Sequence, residues 1–227
     1  MKLFSALLSV SFVSSLVLAC ASAPQTPAKV TPRSLDLEGR TVALYTKDTD
    51  SPRCTGVWVG DARILTAAHC VSDDELDPLF YSTYSEYIGV TKTPNLHSMA
   101  LIREDKDVDL ALYETGVFDT PKHPNATVAP RLLDVGADIH VMGHTAGLSY
   151  SYMHGYVAFY RELDFRPDKK GPWLQISAPI YKGNSGGGAY NDMGELVGIA
   201  SFMASKIPNV GFFVYSGTIR NFLAAKP

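Results

Sequence analysis

With 227 residues, 46% of them hydrophobic, the chain can bury one or two cores and has the composition of an ordinary globular protein. Charged residues make up only 19% and the net charge is -3, so no basic field exists to attract nucleic acid. A polyanion partner is therefore not expected.

Lys2 precedes an apolar run from Leu3 to Ala19, broken only by scattered serines, so residues 1–19 are expected to be a secretory signal peptide. The run also approaches the length of a membrane-spanning helix. The small residues that follow at once, Ala19 to Ala23, favour cleavage over anchoring. Export implies an oxidising compartment, and of the three cysteines Cys54 and Cys70 lie in the folded region and form the natural pair. Cys20 is left over, at the end of Leu16-Val17-Leu18-Ala19-Cys20. That segment resembles a bacterial lipobox, departing from it at Val17 and Leu18, and on this reading Cys20 carries lipid. The alternative is a cut after Ala23 that discards Cys20. The lipoprotein is the preferred reading, and on either one the protein is exported, to the cell envelope or beyond it.

Residues 20–38 begin as a Pro-, Ala- and Ser-rich stretch with Pro24, Pro27 and Pro32, and are expected to form an extended tether ahead of a domain at 39–227. From Thr41 short apolar runs alternate with Gly, Pro, Asp and Asn. Strands are expected at Thr41–Tyr45, Gly56–Val59, Arg63–Thr66, Val108–Tyr113, Ile139–Met142, Gly155–Tyr160, Trp173–Ile176, Leu196–Ser201 and Gly211–Tyr215. A short helix is expected over Thr218–Ala225. Many short strands separated by turn signals define an all-β barrel or sandwich. Residues 116–130, with Pro121, Pro124 and Pro130, read as a linker between two halves.

Three segments carry chemistry. In Ile64-Leu65-Thr66-Ala67-Ala68-His69-Cys70 a strand end runs through paired alanines into a histidine, a rigid mount with room beside it for a substrate. Alone, such a histidine is more often structural. In Val108-Asp109-Leu110-Ala111-Leu112-Tyr113 the alternation places Asp109 opposite the apolar face of a strand. A buried acid there must be hydrogen-bonded, and a histidine ring N–H would satisfy it and fix its tautomer. The neighbouring Glu104-Asp105-Lys106-Asp107 reads as a solvated loop. In Lys182-Gly183-Asn184-Ser185-Gly186-Gly187-Gly188 a serine stands among glycines that permit strained backbone and close approach of a substrate.

These motifs, in the order His, Asp, Ser, resemble the chymotrypsin/trypsin superfamily over about residues 39 to 225. Thr-Ala-Ala-His-Cys and Gly-Asn-Ser-Gly-Gly are close to its signatures. The C-terminal half, through Ala178 to Gly187, Gly194 to Ile199 and Gly211 to Val214, is closest in look to exported bacterial Deg-type proteases. The resemblance implies two antiparallel β-barrels with the active site between them, and a serine endopeptidase with His69, Asp109 and Ser185 as its triad. It further implies oxyanion donors at the N–H groups of Gly183 and Ser185, a Cys54–Cys70 disulfide beneath the histidine, a protein or peptide substrate, and no cofactor. By position, Pro179, Ser201, Phe202, Met203, Gly211 and Phe212 are expected to wall the substrate pocket. Pro179 stands six residues before Ser185, where trypsin-like specificity would require an acid, so an apolar or small side chain is expected there. Asn184 replaces the aspartate that pairs with a newly cut N-terminus in vertebrate members, so no zymogen cleavage is expected. No peptide-binding PDZ domain is expected after Pro227, which argues against a caged oligomer. A non-catalytic binding module on the same scaffold and an esterase using the same triad are the rival readings.

No metal site is expected. His140 and His144 share no helical face, and His97, His123 and His154 have no companions. Tyr81, Tyr84 and Tyr87 read as a loop-like insertion whose rings pack or face solvent. Asn125-Ala126-Thr127 matches a glycosylation acceptor that bacterial export makes irrelevant.

Overall fold

The computed structural model describes residues 35–47, 50–60, 62–71, 79–84, 95–116, 125–162 and 168–225. The signal segment, Cys20, most of the tether, Tyr87 and His123 lie outside them. Twelve strands form two closed antiparallel barrels of six. The first contains β1 (Thr41–Tyr45), β2 (Cys54–Gly60), β3 (Arg63–Thr66), β4 (Phe80–Thr83), β5 (His97–Asp105) and β6 (Leu110–Thr115), in the order β1-β2-β3-β6-β5-β4. The second contains β7 (Asp138–Gly143), β8 (Ser151–Arg161), β9 (Trp173–Ser177), β10 (Gly188–Tyr190), β11 (Leu196–Met203) and β12 (Val210–Tyr215), in the order β10-β11-β12-β9-β8-β7. This is the chymotrypsin-like double barrel, and closure leaves neither sheet with an open edge.

Side-chain alternation explains why the strands facing the other barrel read as continuous apolar runs. Trp58, Ile64, Ala111 and Tyr113 point into the first barrel, while their neighbours Val57, Leu65, Leu110 and Leu112 point outward. There they meet Met142, Trp173, Leu196, Ile199 and Val214 of the second barrel in a shared core. Each such aliphatic side chain contributes about 1.5–3 kcal/mol on burial. Leu35 and Leu37 also sit in this core, so the end of the segment assigned to the tether is part of the packed domain. Leu37–Arg40 forms a single helical turn, α1.

The C-terminal helix α2 (Ser216–Ala224) begins two residues earlier than expected and buries Ile219 and Phe222 in the same core. Arg103 of β5 donates to the carbonyls of Phe222 and Ala225 at its C-terminal end, and its guanidinium lies 4.2 Å from the Phe222 ring centroid. It thereby satisfies carbonyls that have no partner within the helix.

Three strands were not expected. β10 is only three residues long, and β5 holds the short apolar run Met99-Ala100-Leu101-Ile102 between polar ends, with no residue fully buried. β4 replaces the expected loop-like insertion at Tyr81. That ring is buried, edge-on to Trp58 at 5.5 Å and stacked on His97 at 5.1 Å. Cys54 and Cys70 form the disulfide, with Cα atoms 6.2 Å apart and 16 positions apart in sequence. A loop of that size corresponds to about 3 kcal/mol in the chain-entropy picture. Of the expected linker, residues 116 and 125–130 are described. The Ala126 N–H donates to Trp58 O (2.8 Å) in the first barrel and the Ala129 N–H to Leu196 O (2.9 Å) in the second.

Candidate active site

His69 sits on a turn of 3-10 helix, Ala68–Cys70, that directly follows β3 and is pinned by the disulfide. Ala67 and Ala68 are buried, while the His69 side chain is 41% exposed. Asp109 is not inside a strand as the alternation predicted. It precedes β6 by one residue, in the left-handed region at φ 60°, which Asp tolerates better than most residues. The Asp105 carboxylate accepts the N–H groups of Asp107 (3.0 Å) and Val108 (3.3 Å), tightening the turn that delivers Asp109 inward.

The Asp109 carboxylate is 1% exposed and fully engaged. Its Oδ1 accepts the His69 backbone N–H (3.0 Å), and the His69 Nδ1 lies 3.1 Å from Oδ1 and 2.9 Å from Oδ2. The Ser201 hydroxyl donates to Oδ2, and Lys169 Nζ stands 3.5 Å from Oδ1. Burial pushes this carboxyl up, but the His69 hydrogen bond and charge, the Ser201 hydroxyl and the Lys169 ammonium outweigh it. Together they hold the group well below the usual carboxylate range. With Nδ1–H committed to a permanent anion, the ring tautomer leaves Nε2 as an acceptor.

Ser185 lies on a turn stitched to the first barrel. The Thr55 N–H donates to Ser185 O (2.8 Å), and the Thr55 hydroxyl donates to Gly183 O (2.7 Å). The next residue, Gly186, has φ 80°, and a Cβ there would overlap the Thr66 hydroxyl and Thr55 O and lie 3.0 Å from Ala67 N. The chain leaving Ser185 therefore packs against the backbone two residues ahead of His69. Gly183, at φ 92°, abuts the His144 carbonyl just as closely. The N–H groups of Asn184, Gly186 and Gly187 all have backbone acceptors. Those of Gly183 and Ser185 have none among the described residues.

Ser185 opens into a pocket of about 270 Å³ lined also by Ile180, Ala200, Ser201, Phe202 and Met203. Among the described residues no carboxylate lines it, and its charged residue is Lys182. Of the six residues expected there, Ser201, Phe202 and Met203 are present. Pro179 instead lines an adjoining hollow of about 300 Å³. Phe212 stacks behind Phe202 at 4.8 Å, and Gly211 backs onto Ile180. Sequence reading gave Ser201 only a wall position and missed its bond to Asp109, because nothing in Ala200-Ser201-Phe202 signals a hydroxyl aimed at an acid. Lys169, within a plain charged loop, carried no signal either.

Asn184 is fully buried; its Oδ1 accepts the Thr145 hydroxyl (3.0 Å) and its amide lies 3.5 Å from Met153 Sδ. These partners are neutral. His140 is bonded to Tyr152 (2.7 Å) and Asp192 (2.8 Å), and His154 to Asp138 (2.8 Å). No group of three His, Cys, Asp or Glu among the described residues is placed to hold a metal ion.

His144 is completely buried beneath the Ser185 turn. Its N–H donates to the Thr55 hydroxyl (3.2 Å), and its Nδ1 accepts the Tyr150 N–H (3.2 Å). Burial pushes its pKa from 6.5 down to about 3, against a smaller opposing pull from the Val42 carbonyl. The folded value lies below the unfolded one, so below about pH 6.5 the unfolded chain binds the extra proton and stability falls with acidification. Between about pH 6 and 5, where Asp109 is ionised in both states, His144 adds a slope approaching ~1.4 kcal/mol per pH unit. Denaturant unfolding across this range is expected to show a shallower slope in His144→Gln than in the wild type; equal slopes would contradict this account.

A double barrel in which a histidine–aspartate pair is joined through Ser201 to the pocket that a glycine-flanked serine lines belongs to the trypsin-like class of serine protease folds. The trypsin-like peptidase domain family matches residues 54–199, and the chain belongs to that family. It is 29% identical over 73% of its length to "Protease Do-like 2, chloroplastic" of Arabidopsis thaliana. It is 28% identical over 65% of its length to "Serine protease HtrA-like" of Staphylococcus aureus (strain USA300). The match spans 26% of the plant protein and 19% of the staphylococcal one. Among solved structures, the active form of the Rv3671c protease from M. tuberculosis aligns with a TM-score of 0.70 at 22% identity, covering 90% of each chain. An HtrA-type protease with a bound decapeptide aligns at 0.71 and 16% identity, covering 86% of this chain and 66% of its own. At these identities the structures establish the fold alone.

Proposed function

We propose that the protein is a serine endopeptidase that cleaves peptide bonds by acyl transfer. The observation that carries this reading is the His69 Nδ1 held between both oxygens of a buried Asp109, whose Oδ2 also accepts from Ser201, a residue that lines one pocket with Ser185. Nε2 takes the Ser185 hydroxyl proton as the oxygen attacks the scissile carbonyl, and returns it to the leaving amine as the C–N bond breaks. Water, activated by the same ring, then releases the acyl group from Ser185. The unengaged N–H groups of Gly183 and Ser185 serve as donors to the oxyanion. Asp109 stays ionised throughout and holds the ring in place.

The apolar walls of Ile180, Ala200, Phe202 and Met203 suit an apolar side chain on the acyl side of the cut, and Lys182 at the same pocket opposes a basic one. A peptide library incubated with the purified domain is expected to be cut after apolar residues and spared after Arg and Lys. Cleavage confined to basic residues would overturn the pocket assignment, and no cleavage of any peptide would overturn the reaction.

The neutral partners of Asn184 support activity without a new N-terminal ammonium, since an amide holds a buried cation poorly. An N-terminal fusion ahead of the folded domain is expected to leave peptidase activity unchanged; abolished activity would contradict this. The Cys54–Cys70 disulfide supports export to an oxidising compartment, with Cys20 as the proposed lipid-bearing residue.

A further inference from the structure

We infer that Lys169 is a positioning residue for the Asp109–His69 pair, tempering the charge of the carboxylate and locking its loop to the second barrel. The inference rests on the peptidase reading above. Lys169 lies in the connection between β8 and β9, and its side chain is only 13% exposed. Its ammonium donates to Lys106 O (2.7 Å), one turn away from Asp109 in the β5–β6 loop, and stands 3.5 Å from Asp109 Oδ1. Burying a lysine head group is costly unless it is paired and hydrogen-bonded, and here both partners come from the loop that presents Asp109.

The next residue ties the same two loops together at the surface. The Lys170 N–H donates to Asp107 O (2.6 Å), and its exposed ammonium pairs with the Asp107 carboxylate (2.5 Å). Two adjacent lysines thus bridge the same loops, one inward to the candidate catalytic acid and one outward to solvent. The charged groups at Asp109 are His69 from the 3-10 turn and Lys169 from the β8–β9 connection, with Ser201 from β11 supplying a neutral hydroxyl. On its own loop, Asp107 is paired with Lys170, and Lys106 lies 3.6 Å from Glu104.

The chemistry of the pair follows. Asp109 stabilises the positive ring that forms when His69 takes the Ser185 proton. A cation at Oδ1, an oxygen that His69 also contacts, draws off part of that stabilisation, so the ring releases the proton more readily to the leaving amine. It also restrains the carboxylate against rotation, which a ring held through Nδ1 would follow. Removing the charge makes the site more negative, so the proton is held more tightly and the acid limb of the pH–rate profile moves to higher pH.

The test compares wild type, Lys169→Met, Lys169→Gln, Lys169→Arg and Lys170→Met by kcat, KM and the pH dependence of kcat/KM on one peptide. Thermal unfolding accompanies each variant. Lys169→Met and Lys169→Gln are expected to move the acid limb upward by about half a unit or more. They are also expected to lower kcat roughly tenfold with KM little changed. Lys169→Arg restores the profile, and Lys170→Met leaves the limb in place while lowering thermal stability slightly. An unmoved limb in Lys169→Gln, or an equal shift in Lys170→Met, would overturn the inference while leaving the peptidase reading intact. A folded wild type that cuts no peptide would overturn both.

Discussion

Asp109→Asn is expected to lower kcat/KM on a peptide by about four orders of magnitude while the protein stays folded. Every group around this side chain donates: the His69 N–H and Nδ1–H, the Ser201 hydroxyl and the Lys169 ammonium. An amide brings two donors of its own into that ring, and one must face another donor. The His69 ring then relieves the conflict by changing tautomer, which places the proton on Nε2 and removes the base. The unsatisfied contact costs about 1–3 kcal/mol, a stability loss that unfolding experiments resolve from the kinetic one. The stabilisation linked to the depressed Asp109 carboxyl is fully present above about pH 3.8 and is lost as pH falls through its folded value, so the variant lacks that acid-dependent part. A loss below tenfold in kcat/KM would mean that Asp109 serves structure rather than chemistry.

Gly186→Ala is expected to lower both stability and activity, because its glycine is required twice over. At φ 80° an alanine carries a backbone cost of about 1–2 kcal/mol. Its methyl would also overlap the Thr66 hydroxyl and the Thr55 carbonyl, adding about 1–3 kcal/mol of overpacking. Relief requires the Ser185 turn to lift from the first barrel, and a displacement of about 1 Å at this proposed nucleophile lowers kcat about a hundredfold. Gly136 supplies the control. Its φ is 90° with nothing within 4 Å of an added Cβ, so Gly136→Ala carries the backbone cost alone and leaves activity unchanged. Equal effects of the two substitutions, measured by thermal unfolding and peptide turnover, would contradict the packing argument.

The sequence made the double barrel legible because apolar strands interrupted by turns dominate it, and because the motif order His69, Asp109, Ser185 resembles one superfamily. Brevity hid β10, whereas β4 and β5 do carry strand signals, in Phe80-Tyr81-Ser82-Thr83 and in Met99-Ala100-Leu101-Ile102, that the reading of that region as an insertion and a charged loop passed over. Asp109 was found by its apolar surroundings, but alternation misplaced it. Its left-handed backbone depends on the Asp105 turn, which strand periodicity does not encode. The pocket was half legible. Ser201 to Met203 follow strand β11 into it, whereas Phe212 is held behind Phe202 by packing that only the closed barrel creates. Lys169 was invisible because its partners lie more than fifty residues earlier in the chain and are joined to it only by the meeting of two loops.

The most direct test of the account is covalent labelling of the purified domain by a fluorophosphonate, comparing wild type with Ser185→Ala and His69→Ala. The phosphonyl group requires a serine oxygen activated by a neighbouring base and an oxyanion site to receive the charge. Labelling of the wild type at Ser185, absent in Ser185→Ala and nearly absent in His69→Ala, is the predicted result. A folded wild type that takes no label, or a label that persists after Ser185→Ala, would contradict the assignment of Ser185 as the nucleophile.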